Sequence, residues 1–493
     1  MRTPFRLVLL CAVLAVVAPA QIRLAPMFRD HAVLQRGMPL PIWGEAPAGA
    51  VLRVQLGTSH TQVRTGADGR WRAVLPARPA GGPWTLTVSG GGASTTATDL
   101  LIGEVWLCSG QSNMELPLPL ANHGAEEVAA ANDPEMRLLR VPHRVADQPQ
   151  HDFDAAWAAV TPDAVREFSA VGYFFGRELR GALHVPVGLI ESDWGGTPAE
   201  AWTPYPVLTS HASLHPVLTL WKQDLAAFAA NPDNPRYKQE PWNQTWPGGS
   251  WTPAGLYNGM IAPLAPAALR GVIWYQGESN ADRAFQYRTL FPAMITGWRQ
   301  AWGRPVPFLF VQLPNFGAAV PQPGESPWAE LREAQLMTLR LPDTGMAITV
   351  DLGEANNIHP KNKQEVGHRL ALAALAHAYG RGGTAIGPLY VGMRRLPTGI
   401  RVRFAHVGPG LVAEGNAPLR GFAVAGADHK FVWAQARIVG DAVVVSAAEV
   451  RHPVAVRYDW ADNPDGNLFS RDGLPASPFR TDAWPGITAK AGK

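Results

Sequence analysis

Cysteine is nearly missing from this chain. Of the two in 493 residues, Cys11 falls within the first twenty and Cys108 stands alone afterwards. No intramolecular disulfide can then staple the mature fold, which must be held by packing. Cys108 ends an apolar run and reads as an inert buried thiol rather than a reactive one. Charge is sparse too: charged residues make up 17%, with 43 Lys and Arg against 40 Asp and Glu. That near balance gives no basic stripe for nucleic acid and no cationic face for anionic membranes. There is no dense His/Cys cluster with metal-ligand spacing and no broad apolar lid segment, so neither a metal nor another cofactor is expected.

Only one apolar stretch is long enough to ask about a membrane. Arg2 and Arg6 precede Leu7 to Val17, and Ala18-Pro19-Ala20 follows, the layout of a secretory signal. The apolar part falls short of the roughly 20 residues that span a bilayer. A secreted or periplasmic protein without membrane insertion is expected. Loss of residues 1–20 removes two basic and no acidic residues, taking the formal charge from +3 to +1.

Glycine and proline are plentiful, at 49 and 45, and suggest many turns between ordered elements. From 21 to 100 the pattern alternates, with Leu52, Val54 and Leu56 against Arg53 and Gln55, and Trp84, Leu86 and Val88 against Thr85 and Thr87. This predicts a small antiparallel β domain, with Asp68-Gly69 as a hairpin signal. Between 101 and 385 continuous apolar runs appear: Val105-Trp106-Leu107, Val185 to Ile190, Val272-Ile273-Trp274, Phe308 to Leu313 and Met346 to Val350. They suit strands buried on both faces of a parallel sheet. Helical spacing separates them, at Val171, Phe174, Phe175 and Leu179, after Ser326-Pro327, and at Val366, Leu370 and Ala374. The middle therefore reads as a doubly wound α/β domain. Residues 210–253, rich in Pro and Trp, show neither period and read as an insertion. From 386 to 493 alternation returns as a second β domain.

Ligands bind beyond the carboxyl ends of strands in an open parallel sheet. Four such ends carry polar groups: Ser109-Gly110-Gln111-Ser112-Asn113-Met114, Ser192-Asp193-Trp194-Gly195-Gly196-Thr197, Tyr275-Gln276-Gly277-Glu278-Ser279-Asn280, and Asp351 leading to Ile358-His359-Pro360. Acyl transfer needs a nucleophile, a base and donors for an oxyanion. Ser112 follows a glycine that permits a tight strand-to-helix turn, His359 sits in a loop held by Pro360, and Gly195-Gly196, Gln276 and Asn280 can offer N–H groups. Taken singly, each residue also fits a turn, cap or core role.

Together these stretches resemble the sialate O-acetylesterases of the SGNH-hydrolase superfamily. The resemblance extends over Gly103 to Glu115, Trp194 to Thr197, Trp274 to Asn280 and Ile358 to Lys363, with Phe168 to Phe175, Ala461 to Pro464 and Asn467-Leu468 in the same order. It implies a flavodoxin-like, three-layer α/β domain flanked by N-terminal and C-terminal β domains. It further implies a secreted serine esterase that removes O-acetyl groups from sugars, with Ser112 as nucleophile and His359 as general base. Gly196, the Ser112 amide and Gln276 or Asn280 would form the oxyanion hole.

The chain departs from the family pattern two residues before His359, where Asn357 stands in place of an aspartate. Asp351 at its strand end, or Glu354, is then expected behind the imidazole, with a Ser–His dyad as the alternative. Trp194, Trp202, Trp242, Trp246 and Trp251 lie in or near the loops around these strand ends and could stack on sugar rings, and Arg283, which reads first as an exposed helix arginine, is the candidate to take a sugar carboxylate. An acetylxylan-type esterase is a close variant. The rival from another class is a secreted glycan-binding protein that has lost its catalysis, motivated by Asn357 alone.

Overall fold

The computed structural model describes residues 21–239 and 242–490. The secretory segment expected at 1–20 lies outside the described residues.

A parallel sheet carries the middle of the chain. Its strands are β1 (Ala93–Gly110), β2 (Asp133–Arg140), β3 (Ala158–Val160), β4 (Val187–Asp193), β5 (Gly271–Tyr275), β6 (Phe308–Gln312) and β7 (Thr344–Ile348), side by side in the order β3-β2-β4-β1-β5-β6-β7. Neighbours run parallel except β3, which pairs antiparallel with β2 at one edge. Every residue of β4 to β7 is buried, as continuous apolar runs require.

Five helices cover this sheet or border the ends of its strands: α1 (Ser112–Glu115), α2 (Ala170–Leu183), α3 (Ala284–Trp302), α4 (Pro327–Thr338) and α5 (Lys363–His377). The Ser169 hydroxyl caps α2 by accepting from the Gly172 N–H at 3.0 Å, and Ser326 caps α4 through the Ala329 N–H at 2.9 Å. From α2, Phe175 meets Trp106 edge-on at 5.1 Å; from α3, Phe291 and Trp298 lie 6.3 and 5.8 Å from Trp274. Trp274 is in register with Ser109, an odd step along β1 from Trp106, so the two indoles occupy opposite faces. Helices thus cover both sides of the sheet.

β1 belongs to two sheets. Its first part pairs antiparallel with Gly81–Gly90 of the N-terminal β region, and its second part lies between β4 and β5. The change of pattern near residue 100 is therefore a change of partners within one strand, with no linker. Leu52, Val54 and Leu56 are fully buried, as their alternation predicts. Asp68-Gly69 is a turn, but the hairpin expected there does not form: Ser59–Arg64 pairs with Val51–Leu56, whereas Arg70–Leu75 pairs with Leu40–Glu45 in another sheet. Turn chemistry specifies a reversal, not which strands pair after it.

The insertion is also more ordered than its pattern suggests. Residues His215–Ala230 form a helix of which only Val217 is buried. Its Leu, Ala, Lys and Gln favour helix by propensity, and with almost no buried face there is no clean stripe to read. Beyond 386, two four-stranded antiparallel sheets close over Val402, Phe422, Val424, Val443 and Tyr458.

Candidate active site

The strand order reverses at β1, which has β4 on one side and β5 on the other. Such a switch point leaves a crevice beyond the carboxyl ends of the strands. Ser112 opens α1 there, directly after β1. Gly110 permits the turn: its φ is +144°, and a Cβ at that position would lie 2.1 Å from the Tyr275 carbonyl oxygen.

His359 arrives from the loop after β7, and its Nε2 lies 2.8 Å from Ser112 Oγ. In the neutral imidazole with Nε2 unprotonated, the serine hydroxyl donates to it. Burial lowers the His359 pKa below the usual 6.5, and the nearby Lys363 cation lowers it further, against the pull of Glu115.

The carboxylate expected behind the imidazole is elsewhere, which corrects the reading of Asp351. Both Asp351 oxygens are held by Arg369 of α5, at 2.6 and 2.7 Å. A bidentate guanidinium outcompetes a neutral ring for a carboxylate at a strand end. Glu354 accepts from the Lys361 N–H at 2.8 Å and from Asn357 Nδ2 at 3.1 Å. Asn357 in turn accepts from the His359 backbone N–H at 3.0 Å and donates to the His359 carbonyl at 2.8 Å. These groups shape the loop. Among the described residues no carboxylate hydrogen-bonds the His359 ring.

Two expected oxyanion donors are likewise committed. Gln276, fully buried, donates from Nε2 to Thr197 O at 3.2 Å and to Asn280 Oδ1 at 2.7 Å, and accepts from Tyr287 OH at 2.9 Å. Asn280 donates to Glu200 at 2.9 Å. These bonds tie the segment after β5 to Thr197, Ala199 and Glu200 of the segment after β4. Arg283, read first as an exposed helix arginine and second as a partner for a sugar carboxylate, is instead largely buried and pairs with Glu200 at 2.7 Å.

Gly195 lies against Ser112, with Gly196 next to it in the chain. A Cβ on Gly195 would sit 3.3 Å from Ser112 Cβ. The Gly195 N–H donates to Glu115 Oε2 at 2.5 Å, and Glu115 Oε1 lies 3.2 Å from His143, whose ring stacks on Trp194 at 4.1 Å. Trp251 Nε1 donates to the carbonyls of Gly196 and Trp242, both at 2.8 Å. Trp242, 56% exposed, backs Gly196, while Trp202 is fully buried core. Sequence reasoning gave no role to Glu115, His143, Asn113 or Lys363. Glu115, Asn113 and Lys363 lie inside the stretches that carry the family resemblance, but His143 has no local signal.

Comparison with known proteins decides the family. A model of the carbohydrate esterase, sialic acid-specific acetylesterase family matches residues 239–376. The human sialate O-acetylesterase is 30% identical over 92% of this chain and 91% of its own length. The chain belongs to the sialate O-acetylesterase family. It is a carboxylic ester hydrolase. The rat member is 32% identical over 73% of this chain and 74% of its own. The crystal structure of a carbohydrate acetylesterase from Xanthomonas citri is 42% identical, superposes with a TM-score of 0.84, and is covered over 94% of this chain and 100% of that one.

Proposed function

We propose that the chain removes O-acetyl groups from sugars with Ser112 as nucleophile and His359 as general base. The observation that carries this is the 2.8 Å contact between Ser112 Oγ and His359 Nε2 at the switch point of the sheet. Ser112 Oγ attacks the acetyl carbonyl as His359 Nε2 takes its proton. The oxyanion is met by the Ser112 N–H, which as the first residue of a helix has no intrahelical acceptor, and by the Gly196 N–H. His359 then returns the proton to the departing sugar oxygen, leaving an acetyl-enzyme. A water repeats the cycle, deprotonated by His359, and acetate leaves with Ser112 restored.

Asp351 is tied to Arg369, so we read the machinery as a Ser–His dyad whose imidazole is oriented by its loop. Trp242 offers an exposed indole beside Gly196 on which a sugar ring can stack. The named relatives support acetylated sugars as substrates, sialic acids among them. The Arg283–Glu200 pair favours a second reading, a neutral acetylated glycan, because the candidate arginine for a sugar carboxylate is already engaged. Helices on both faces of the sheet support the three-layer SGNH-type domain at 101–385, between β domains at 21–100 and 386–493. Residues 1–20 support secretion.

The test is hydrolysis of p-nitrophenyl acetate by the wild type beside Ser112→Ala, followed by acetate release from O-acetylated sialic acids, acetylated xylan and simple acetylated sugars. Ser112→Ala is expected to be inactive. Equal rates in the two proteins would sink the esterase assignment to Ser112.

A further inference from the structure

The residue after the nucleophile is fully buried and has its hydrogen-bonding capacity distributed over three separate segments. Asn113 Nδ2 donates to Glu278 Oε1 at 2.6 Å, beyond β5, and to the carbonyl of Ile358 at 2.9 Å, one residue before His359. Its Oδ1 accepts from Lys363 Nζ at 2.5 Å, at the start of α5. The amide can face only one way, nitrogen toward the carboxylate and carbonyl, oxygen toward the ammonium. Lys363 is itself fully buried, with Nζ 5.1 Å above the Tyr275 ring. The link from α1 to Ile358 joins the neighbour of the nucleophile to the neighbour of the base.

We propose that Asn113, Lys363 and Glu278 are positioning residues that set Ser112 against His359, the task a carboxylate behind the imidazole performs elsewhere. This rests on the Ser112–His359 reading above. A neutral amide between a buried cation and an anion separates the charges while aligning its own dipole with both. The charged groups facing His359 are Lys363 from α5 and Glu115 from α1; those facing Lys363 are Glu278 and Glu354. Burial lowers the Lys363 pKa to about 7.

Kinetics of p-nitrophenyl acetate hydrolysis by the full chain test the unit. Asn113→Ala is expected to lower kcat by about 100-fold with KM within about threefold, since a shift of about 1 Å in the reacting pair suffices. Glu278→Gln keeps an acceptor for Asn113, spares the fold, and should lower kcat by about tenfold at unchanged KM. In Lys363→Met the loss of a cation raises the His359 pKa, so the acid limb of kcat/KM moves up by about half a pH unit or more. Wild-type kcat in Asn113→Ala and Glu278→Gln, or losses that appear in KM alone, overturns the unit. So does an unmoved acid limb in Lys363→Met. If Ser112→Ala is inactive and Asn113→Ala is not impaired, only this inference fails; if Ser112→Ala matches the wild type, the reading beneath it fails.

Discussion

Asn357, Glu354 and Asp351 show how single side chains near His359 can be spoken for by the backbone and by one arginine. Asp351 faces Arg369, whose side chain also meets Glu365 at 2.9 Å and the Ile348 carbonyl at 2.6 Å. Asp351→Asn should therefore leave esterase turnover within about tenfold of the wild type, while loss of charge-assisted hydrogen bonds lowers stability by roughly 2 kcal/mol. Paired kinetics and denaturant unfolding check this, and a turnover loss of orders of magnitude would restore Asp351 to the catalytic group. The lowered His359 pKa has its own consequence. As the proposed base, His359 is neutral above its folded pKa, so kcat/KM should hold as pH falls through 6.5 and drop only at lower pH. A pH profile whose acid limb lies above 6.5 would contradict it.

Under the site, β4 carries Glu191 and Asp193 on one face, buried at 2% and 3% exposure. Burial raises both carboxyl pKa values, Glu191 to about 8, despite Arg140. An acid with a folded pKa above its unfolded value binds more protons when folded, so stability is lost as pH rises toward the folded pKa. Glu191→Gln keeps an acceptor for the Ser169 N–H and removes that loss. Its Tm should exceed the wild type's at pH 8 by roughly 3 °C more than at pH 5, read from melts at both pH values. Gly110→Ala is the opposite case at the end of β1: with a Cβ 2.1 Å from Tyr275 O, the variant should be poorly folded and inactive, as expression yield and hydrolysis would show. Elements of this kind are legible in the sequence. The apolar runs of β4 to β7 and the cap at Ser326 obey local rules of period and capping. The roles of Gln276 and Asn280 are not legible there, because an amide at a strand end looks the same whether it faces a ligand or a neighbouring loop.

Across the whole molecule, the C-terminal β region is joined to the α/β region by several polar contacts, among them Arg480 to Glu333 at 2.8 Å and Gln312 to Ser477 at 2.9 Å, and one fully buried arginine makes the most of them. Arg332 of α4 donates to the carbonyls of Leu313, Pro314, Ala461 and Asp462 at 2.7 to 2.9 Å. Arg332→Met would leave buried acceptors unpaired at about 1–3 kcal/mol each. Thermal unfolding should then split into two transitions and limited proteolysis should release the C-terminal region; a single unchanged transition would show that the junction depends on other contacts.

What the sequence by itself determined is local or periodic: which runs are buried strands, where a helix begins at Ser326, and which strand ends carry polar groups, Ser112 and His359 among them. The tertiary structure alone decided the partners. Asn113 and Lys363 are 250 residues apart, and Asn113 and Ile358 are 245 apart. No window of local pattern spans such distances. Whether Asp351 serves His359 or Arg369 depends on which group the folded chain brings within hydrogen-bonding reach, and only packing of α5 against the sheet settles that.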